Sequence, residues 1–278
     1  MAIWIIIILG IVQGASEFLP ISSSGHLVVL YNVFNVEGNT ILLSVILHVA
    51  TLLAVVFCYF NDIIMLIKNP FCKTNKMLVL ATLPTIVLVL ILKKFVESSF
   101  GNSFVIVGFL ITAVVLLISQ MLENKQNKNT FCTTSGNILT KTRDITNLNI
   151  NFKQALLIGT AQGIAVFPGI SRSGSTIATG LMCGVNKSDV ADFSFLLSLP
   201  IILGGLLFEL IDVFKGEANL NIGWFNLSVG FLFSFISGLV CIKLMLKFVK
   251  NKKLTWFSVY LVLLSVFLIL NKFVFGWF

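Results

Sequence analysis

The sequence predicts an all-α integral membrane protein, an inverted-topology repeat with six transmembrane helices and two re-entrant helix pairs. Three observations support this fold class: the composition, six long apolar runs, and two related Ser/Gly-rich breaks. Of the 278 residues, 57% are hydrophobic and 11% are charged, and the mean hydropathy is +1.02. About a quarter of the residues of a soluble domain are charged. The bilayer is therefore the solvent in which this chain is expected to fold.

Six apolar runs are long enough to span a bilayer. A hydrocarbon core of about 30 Å needs about 20 helical residues. The predicted spans lie near 40–60, 77–95, 103–122, 188–211, 223–247 and 254–274.

Two other apolar segments are interrupted by polar residues. The first, 3–12, is expected to end at Gln13, Gly14, Glu17 and Pro20. The second, 155–166, is expected to be interrupted by Gln162 and Gly163 and to end at Pro168 and Gly169. Each resumes as a short apolar stretch, at 27–34 and 176–185. Two half-length helices joined by a polar turn predict a re-entrant pair, which needs protein or a watery cavity around its turn.

The two breaks resemble each other. QGASEFLPISSSG (13–25) and QGIAVFPGISRSG (162–174) match at seven of thirteen positions at an offset of 149, and five of the matches are polar or Gly. Chance similarity is the alternative, but a duplication explains the matched polar positions better. The predicted organisation is a half-repeat at 1–122 with a re-entrant pair at 1–36, a polar linker at 123–152, and a half-repeat at 153–278 with a re-entrant pair at 153–186.

The net charge of +8 is concentrated between the apolar runs. Aromatic residues are not interleaved with it, so membrane orientation explains it better than nucleic-acid binding. The basic residues that predict cytoplasmic loops are Lys68, Lys73, Lys76, Lys125, Lys128, Lys141, Arg143, Lys247, Lys250, Lys252 and Lys253. The loop near 212–222, with Asp212, Lys215 and Glu217, is then outside. Three spans per half invert the second half, so the two breaks are expected to enter from opposite leaflets and meet near the midplane.

The breaks carry the residues that suit anion and cation binding. Gln13 and Glu17 are four apart, so on a helix they share a face and can present oxygens to one cation. The segments 22–25 and 171–174 precede the second helix of each pair, where free backbone N–H groups collect anions. With Arg172 between them, they predict a receptor for a phosphate or diphosphate.

Other interpretations of these residues stay open. Ser22 and Ser171 are also typical helix N-caps. Ser23 and His26 are either a nucleophile–base pair or two unrelated polar groups. Arg172 is a poor candidate for a snorkelling surface residue, because its neighbours are Ser and Gly. His48, inside the first span, is either a functional or a buried, hydrogen-bonded histidine.

Two motifs resemble one known family. QGASEFLPISSSGH (13–26) resembles the (E/Q)GxxEFLPxSSxGH motif of the undecaprenyl-diphosphate phosphatases of the bacitracin-resistance type, and PGISRSGST (168–176) resembles their PGxSRSGxT motif. The segment FSFLLSLPIILG (193–204) resembles the family's sequence after the second motif. The likeness covers essentially the whole chain in order and spacing.

The resemblance implies hydrolysis of undecaprenyl diphosphate to the monophosphate at the outer face of the bacterial plasma membrane, which recycles the carrier for peptidoglycan and confers bacitracin resistance. It also implies a divalent cation, Mg²⁺ or Ca²⁺, held by Glu17 and Gln13. The implied catalytic residues are Glu17, Ser23, His26 and Arg172. The predicted substrate-binding residues are Ser22, Ser24, Gly25, Ser171, Ser173, Gly174 and Thr176. The nucleophile stays open among Ser23, His26 and water.

Two positions depart from the family pattern. Gln13 stands where many members have a second Glu, and Ser44 stands where the family commonly has an acid four positions before the polar group of the first span, here His48. Both departures remove charge from the predicted metal site. The expected partners are the lipid diphosphate and the membrane, with no nucleic acid and with a homodimer left open. The rival functions are a transporter or flippase, which would use the same anion pocket without cleavage, and a catalytically inactive scaffold.

Overall fold

The fold is helical, with no strand among residues 1–36, 41–97, 99, 102–130, 144–214, 222–251 and 254–276, which the computed structural model describes. The α-helices over these ranges are α1 (Ile3–Phe18), α2 (Ser23–Val33), α3 (Ile41–Cys58), α4 (Phe60–Lys68), α5 (Lys73–Glu97), α6 (Asn102–Thr130), α7 (Phe152–Ile164), α8 (Arg172–Met182), α9 (Lys187–Phe214), α10 (Trp224–Asn251) and α11 (Thr255–Leu270). A 3₁₀ turn at Ile145–Asn147 precedes α7, and a π-helical turn at Asn271–Phe275 follows α11. The all-α prediction is confirmed over the described residues.

Six helices contain segments long and apolar enough to cross a membrane. These segments are Ile41–Cys58, Lys73–Val96, Phe104–Glu123, Lys187–Ile211, Trp224–Val249 and Thr255–Val274. They coincide with the six predicted spans. Many of their apolar side chains face outward, and only 17% of the α5 segment is buried. An apolar surface of this extent suits hydrocarbon, not water. The chain is therefore a multi-pass membrane protein.

Two elements differ from the predicted organisation. The short helix α4 follows the first span, buries Leu66 and leaves Phe60 and Ile67 exposed. The helix α6 runs on to Thr130, into the segment predicted as a linker. Polar residues continue a helix at little cost once it leaves the apolar layer, and Glu123 here forms a 2.7 Å ion pair with Lys187 of α9. Residues 131–143 of the predicted linker lie outside the described residues.

The charges that set the predicted orientation are only partly described. The side chains of Lys125, Lys128, Lys141, Arg143, Asp212, Lys215, Glu217, Lys250, Lys252 and Lys253 lie outside the described part of the structure. The orientation, and with it the inversion of the second half, stays a prediction.

The helix α1 continues through the polar residues at which it was predicted to end. It passes Gln13, Gly14 and Glu17 and ends only at Phe18, so the predicted end after Val12 is wrong. The side chains of Gln13 and Glu17 hydrogen-bond to each other at 3.1 Å, which lets both lie in a buried helix. The second segment behaves alike, because α7 passes Gln162 and Gly163 before it ends at Ile164. The breaks themselves, 19–22 and 165–171, contain the predicted Pro20, Pro168 and Gly169.

Glycines at equivalent positions let the first helix of each half pack closely against the other half. The helix α1 packs on α10, and α7 packs on α5. A Cβ at Gly14 would overlap the backbone of Ser234 on α10. A Cβ at Gly159 would overlap the backbone of Ala81 on α5. Small residues four apart allow such close helix crossings in membranes, and Gly10 and Gly14 recur at the offset of 149 as Gly159 and Gly163.

Candidate active site

The two breaks touch each other, as the sequence predicts. Ser173 Oγ, in the first turn of α8, donates a 3.1 Å hydrogen bond to the carbonyl of Leu19. A Cβ at Gly25 would lie 3.0 Å from the Cα of Gly169. Gly169 has φ +87°, a conformation that a side chain would strain, and it packs against Gly108 of α6. Glycine at these three positions lets the two breaks and α6 meet in one place.

Each break ends in a serine N-cap. Ser22 Oγ accepts from the N–H of Gly25 at 3.4 Å, and Ser171 Oγ accepts from the N–H of Gly174 at 3.0 Å. The N-cap interpretation of both serines is therefore confirmed. Ser22 reaches this geometry with φ +71°, whereas Ser171 is extended with φ −78°.

Anion binding at these caps stays a prediction. Thr176 turns its hydroxyl to Ser194 of α9, with the two oxygens 2.6 Å apart. Ser24 lines the larger of the two cavities described below.

Glu17 connects three of the four predicted catalytic residues. Its Oε1 accepts from Arg172 Nη2, and its Oε2 accepts from Ser23 Oγ at 2.6 Å. Gln13 Nε2 also donates to Oε2, at 3.1 Å. The Glu17 side chain is buried, as is Arg172 Nη1, which has no hydrogen-bond partner among the described residues. The site thus places a hydroxyl beside a carboxylate and leaves one guanidinium N–H group available for an anion.

His26 lies beside Tyr260 and not beside Ser23. Its Nδ1 is 2.8 Å from the carbonyl of Ser22, which only accepts, so we assign the ring hydrogen to Nδ1. The Nε2 then accepts from the hydroxyl of Tyr260 at 2.7 Å. The His26 and Tyr260 rings are stacked, with centroids 5.7 Å apart and an interplanar angle of 10°. The predicted role of His26 in proton transfer stays a prediction, and no Ser23–His26 hydrogen bond is found within the described residues.

A second polar group faces the same region from α3 and α9. His48 Nδ1 is 2.9 Å from the carbonyl of Ser44, and His48 Nε2 is 4.0 Å from Glu17 Oε2. Ser44 Oγ donates to Glu209 Oε1 at 3.1 Å. Sequence reasoning missed Glu209 and Tyr260. An acid inside the predicted span 188–211 was a signal for Glu209, because charge is rare at membrane depth. Nothing local marks Tyr260.

Two adjoining cavities are lined by side chains of this site, among them Glu17, His48 and Glu209. The smaller has a volume of about 190 Å³ and is lined by both polar and apolar residues. Its polar lining consists of Glu17, Ser23, His48, Thr85, Gln162, Arg172 and Glu209. The larger has a volume of about 620 Å³ and shares His48, Val166 and Glu209 with the smaller one. Apolar residues of α5 and α9, such as Val89 and Leu206, complete the smaller cavity. The smaller cavity therefore has a polar wall and an apolar wall next to each other.

The predicted metal site stays a prediction, because Gln13 turns its amide nitrogen and not its oxygen toward Glu17 Oε2. Gln13 Oε1 is buried and has no hydrogen-bond partner among the described residues, and Glu17 supplies a carboxylate. The described part of the chain contains no group of three or more His, Cys, Asp or Glu side chains arranged to hold a metal. One carboxylate and one amide oxygen suit Mg²⁺, which commonly keeps waters and binds substrate phosphates as well.

Comparison with known proteins identifies similar chains along nearly the whole length. Residues 6–267 match the family described as bacitracin resistance protein BacA. An undecaprenyl-diphosphatase of Carboxydothermus hydrogenoformans is 36% identical over 262 residues, covering 94% of each chain. One of Methanosphaera stadtmanae is 37% identical over 287 residues, covering 95% of this chain and 96% of the relative. Undecaprenyl-diphosphatase 3 of Bacillus cereus is 35% identical over 268 residues, covering 96% of each chain.

Proposed function

The chain belongs to the bacitracin resistance protein BacA family, and we infer that it is a membrane phosphatase that hydrolyses undecaprenyl diphosphate to undecaprenyl phosphate and inorganic phosphate. This activity recycles the lipid carrier for peptidoglycan synthesis, and the family name implies bacitracin resistance. The observation that carries the proposal is the contact of Glu17 with both Ser23 and Arg172 at the wall of one cavity. A hydroxyl, a proton acceptor and a cationic anion receptor are the groups that phosphoryl transfer needs.

Ser23 is the group best placed to attack the terminal phosphorus. Its hydroxyl already donates to Glu17 Oε2 at 2.6 Å, so the proton has an acceptor as the oxygen bonds to phosphorus. The bond from phosphorus to the bridging oxygen breaks, and undecaprenyl phosphate leaves with the proton that Glu17 received. Water then hydrolyses the phosphoserine, which releases inorganic phosphate and returns a proton to Ser23. Attack by water oriented by Ser23 is the alternative that trapping of a phosphoserine would exclude.

Arg172 supplies the positive charge for the reacting phosphate. Its Nη1 is buried without a partner among the described residues, and its Nη2 is held by Glu17. A guanidinium fixed in this way is preorganised for the charge that develops on phosphate oxygens.

A divalent cation would be held by Glu17 and Gln13. When bound, it would neutralise diphosphate oxygens and so reduce their repulsion of the attacking oxygen. Mg²⁺ and Ca²⁺ both suit these oxygen ligands.

We also propose the inverted repeat, with two re-entrant pairs that enter from opposite leaflets of the bacterial plasma membrane and a site that opens to the outer face. The reciprocal packing of α1 on α10 and of α7 on α5 supports a two-fold relation between the halves. The prenyl chain would lie between helices in the bilayer, beside the apolar residues of α5 and α9 that line the cavity. The homodimer stays a prediction.

Phosphate release from undecaprenyl diphosphate by the purified protein in detergent tests the function. We expect release by the native protein, a strong reduction by a chelator, and a loss of at least about a hundredfold in Glu17→Gln. A folded native protein that releases no phosphate would contradict the proposal. Translocation of the uncleaved lipid in proteoliposomes would instead support a flippase.

A further inference from the structure

Three residues around the smaller cavity have buried polar atoms without a partner. Within the described residues, no hydrogen bond reaches Arg172 Nη1, Gln162 Oε1 or Glu209 Oε2. A buried polar atom without a partner costs about 1–3 kcal/mol, and more if it is charged. In a native cavity such atoms take their missing partners from water, an ion or another ligand. One of the three is a donor that suits an anion, and two are acceptors that suit a cation.

Glu209 is the charged acceptor. It lies near the end of the membrane-spanning segment of α9, where an unpaired carboxylate is unfavourable, although less so than at the centre of a span. Ser44 Oγ donates to its Oε1 at 3.1 Å, and no partner of Oε2 is found in the described part of the chain. No Lys or Arg of the described ranges forms an ion pair with it. The proposed mechanism gives Glu209 no role, although it lines both cavities.

Gln162 is the neutral acceptor, and its amide is oriented by a neighbouring helix. Its side chain is 2% exposed, and its Nε2 donates to Thr85 Oγ1 of α5 at 3.3 Å. This hydrogen bond assigns the amide nitrogen to Thr85, and Oε1 has no donor among the residues that the structure describes. Gln162 is the equivalent of Gln13 at the offset of 149, and both amide oxygens are buried without partners in the described structure.

We propose that Glu209 and Gln162 form a cation-binding subsite in the cavity that also contains Arg172, and that this subsite takes a divalent cation that accompanies the anionic ligand. That the anion is a lipid diphosphate rests on the proposed function. A carboxylate and an amide oxygen are the hard ligands that Mg²⁺, Mn²⁺ and Ca²⁺ take. Since few acidic groups surround the cavity, water and phosphate oxygens complete the shell. The subsite adds a second carboxylate to the one that Glu17 provides.

Mn²⁺ binding to the intact, detergent-solubilised protein tests the subsite without requiring turnover. Free Mn²⁺ is measured by electron paramagnetic resonance as the metal is titrated up to millimolar concentrations. We expect Glu209→Gln to weaken Mn²⁺ binding by at least about tenfold, because the isosteric amide keeps the Ser44 contact but removes the charge. Gln162→Met, of similar length and without an amide oxygen, is expected to weaken binding by a smaller factor.

Glu123→Gln is the matched control. Glu123 is paired with Lys187 and lines neither cavity, so the same substitution there should leave Mn²⁺ binding unchanged. If Glu209→Gln fails to fold, Glu209→Asp keeps the charge on a shorter side chain and should give an intermediate loss.

Native Mn²⁺ affinity in folded Glu209→Gln or Glu209→Asp would overturn the subsite, as would a native protein that binds no Mn²⁺. The subsite and the proposed function fail separately. Mn²⁺ binding that depends on Glu209 in a protein that cleaves no undecaprenyl diphosphate would leave the subsite and remove the phosphatase.

Discussion

The two breaks share a serine cap and differ in their length, their backbone and their chemistry. Each begins its second helix with a serine cap whose oxygen accepts from a glycine N–H three residues later. At the offset of 149, however, Glu17 corresponds to Val166, Ser23 to Arg172, and His26 to Ser175. The first break therefore supplies the carboxylate and the hydroxyl, and the second supplies the guanidinium. The predicted duplication accounts for the shared cap, and the differences at these positions make the two breaks complementary.

Removal of the second break's charge should have the largest effect. Arg172→Ala is expected to lower turnover of undecaprenyl diphosphate by at least about a hundredfold, because a preorganised cation at the reacting phosphate is lost. Arg172→Lys should recover only part of the activity, since lysine lacks the planar fork. The measurement is the rate of phosphate release by protein that remains monodisperse in gel filtration. Unchanged release by Arg172→Ala would remove Arg172 from the mechanism.

A methyl group added where α1 packs against α10 should have the next largest effect, a loss of stability. In Gly14→Ala the added Cβ meets the Ser237 side chain and also the backbone of Ser234 on α10, whereas in Gly163→Ala it first meets the Leu88 side chain of α5. Overpacking of this kind costs about 1–3 kcal/mol, and backbone yields less than side chain. We expect Gly14→Ala to lower the thermal unfolding temperature in detergent more than Gly163→Ala does.

The control is Gly204→Ala, because a Cβ at Gly204 meets nothing within 4 Å. Equal unfolding temperatures for Gly14→Ala and Gly204→Ala would contradict the close crossing of α1 and α10.

Tyr260 contacts His26, in the helix that follows the first break. Tyr260→Phe keeps the ring stack on His26 and removes the 2.7 Å hydrogen bond to its Nε2, which is worth about 0.5–1.5 kcal/mol. We expect the free energy of unfolding to fall by about the same amount, and the ¹⁵N chemical shift of the His26 ring to change. A His26 resonance identical to that of the native protein would show that the two side chains do not pair.

Substitution of the serine caps should have the smallest effect on stability, and the effect should differ between the two breaks. Ser171→Ala should cost about 1 kcal/mol of unfolding free energy, as at other N-caps. Ser22→Gly should cost less than Ser171→Gly, because Ser22 has φ +71°, which glycine adopts without a steric penalty. Both differences are measurable as unfolding free energies in mixed micelles. A larger loss for Ser22→Gly than for Ser171→Gly would contradict the positive φ of Ser22.

Much of the fold follows from local sequence. The six spans coincide with their predicted runs because length and hydropathy within one segment suffice to identify them. The end of α1 differs from its prediction for the opposite reason. Gly14 does not end the helix but allows a close crossing, and this depends on α10, which packs against it.

The sequence by itself determined the membrane environment, the spans, the related breaks and the polar residues that they carry. Only the tertiary structure decided how those residues are paired: Ser23 with Glu17, His26 with Tyr260, and Ser44 with Glu209. Tyr260 and Glu209 are far along the chain from their partners and carry no motif. Their contacts arise because α11 and α9 pack beside the first half, and no local pattern specifies which side chains such packing brings within hydrogen-bond distance.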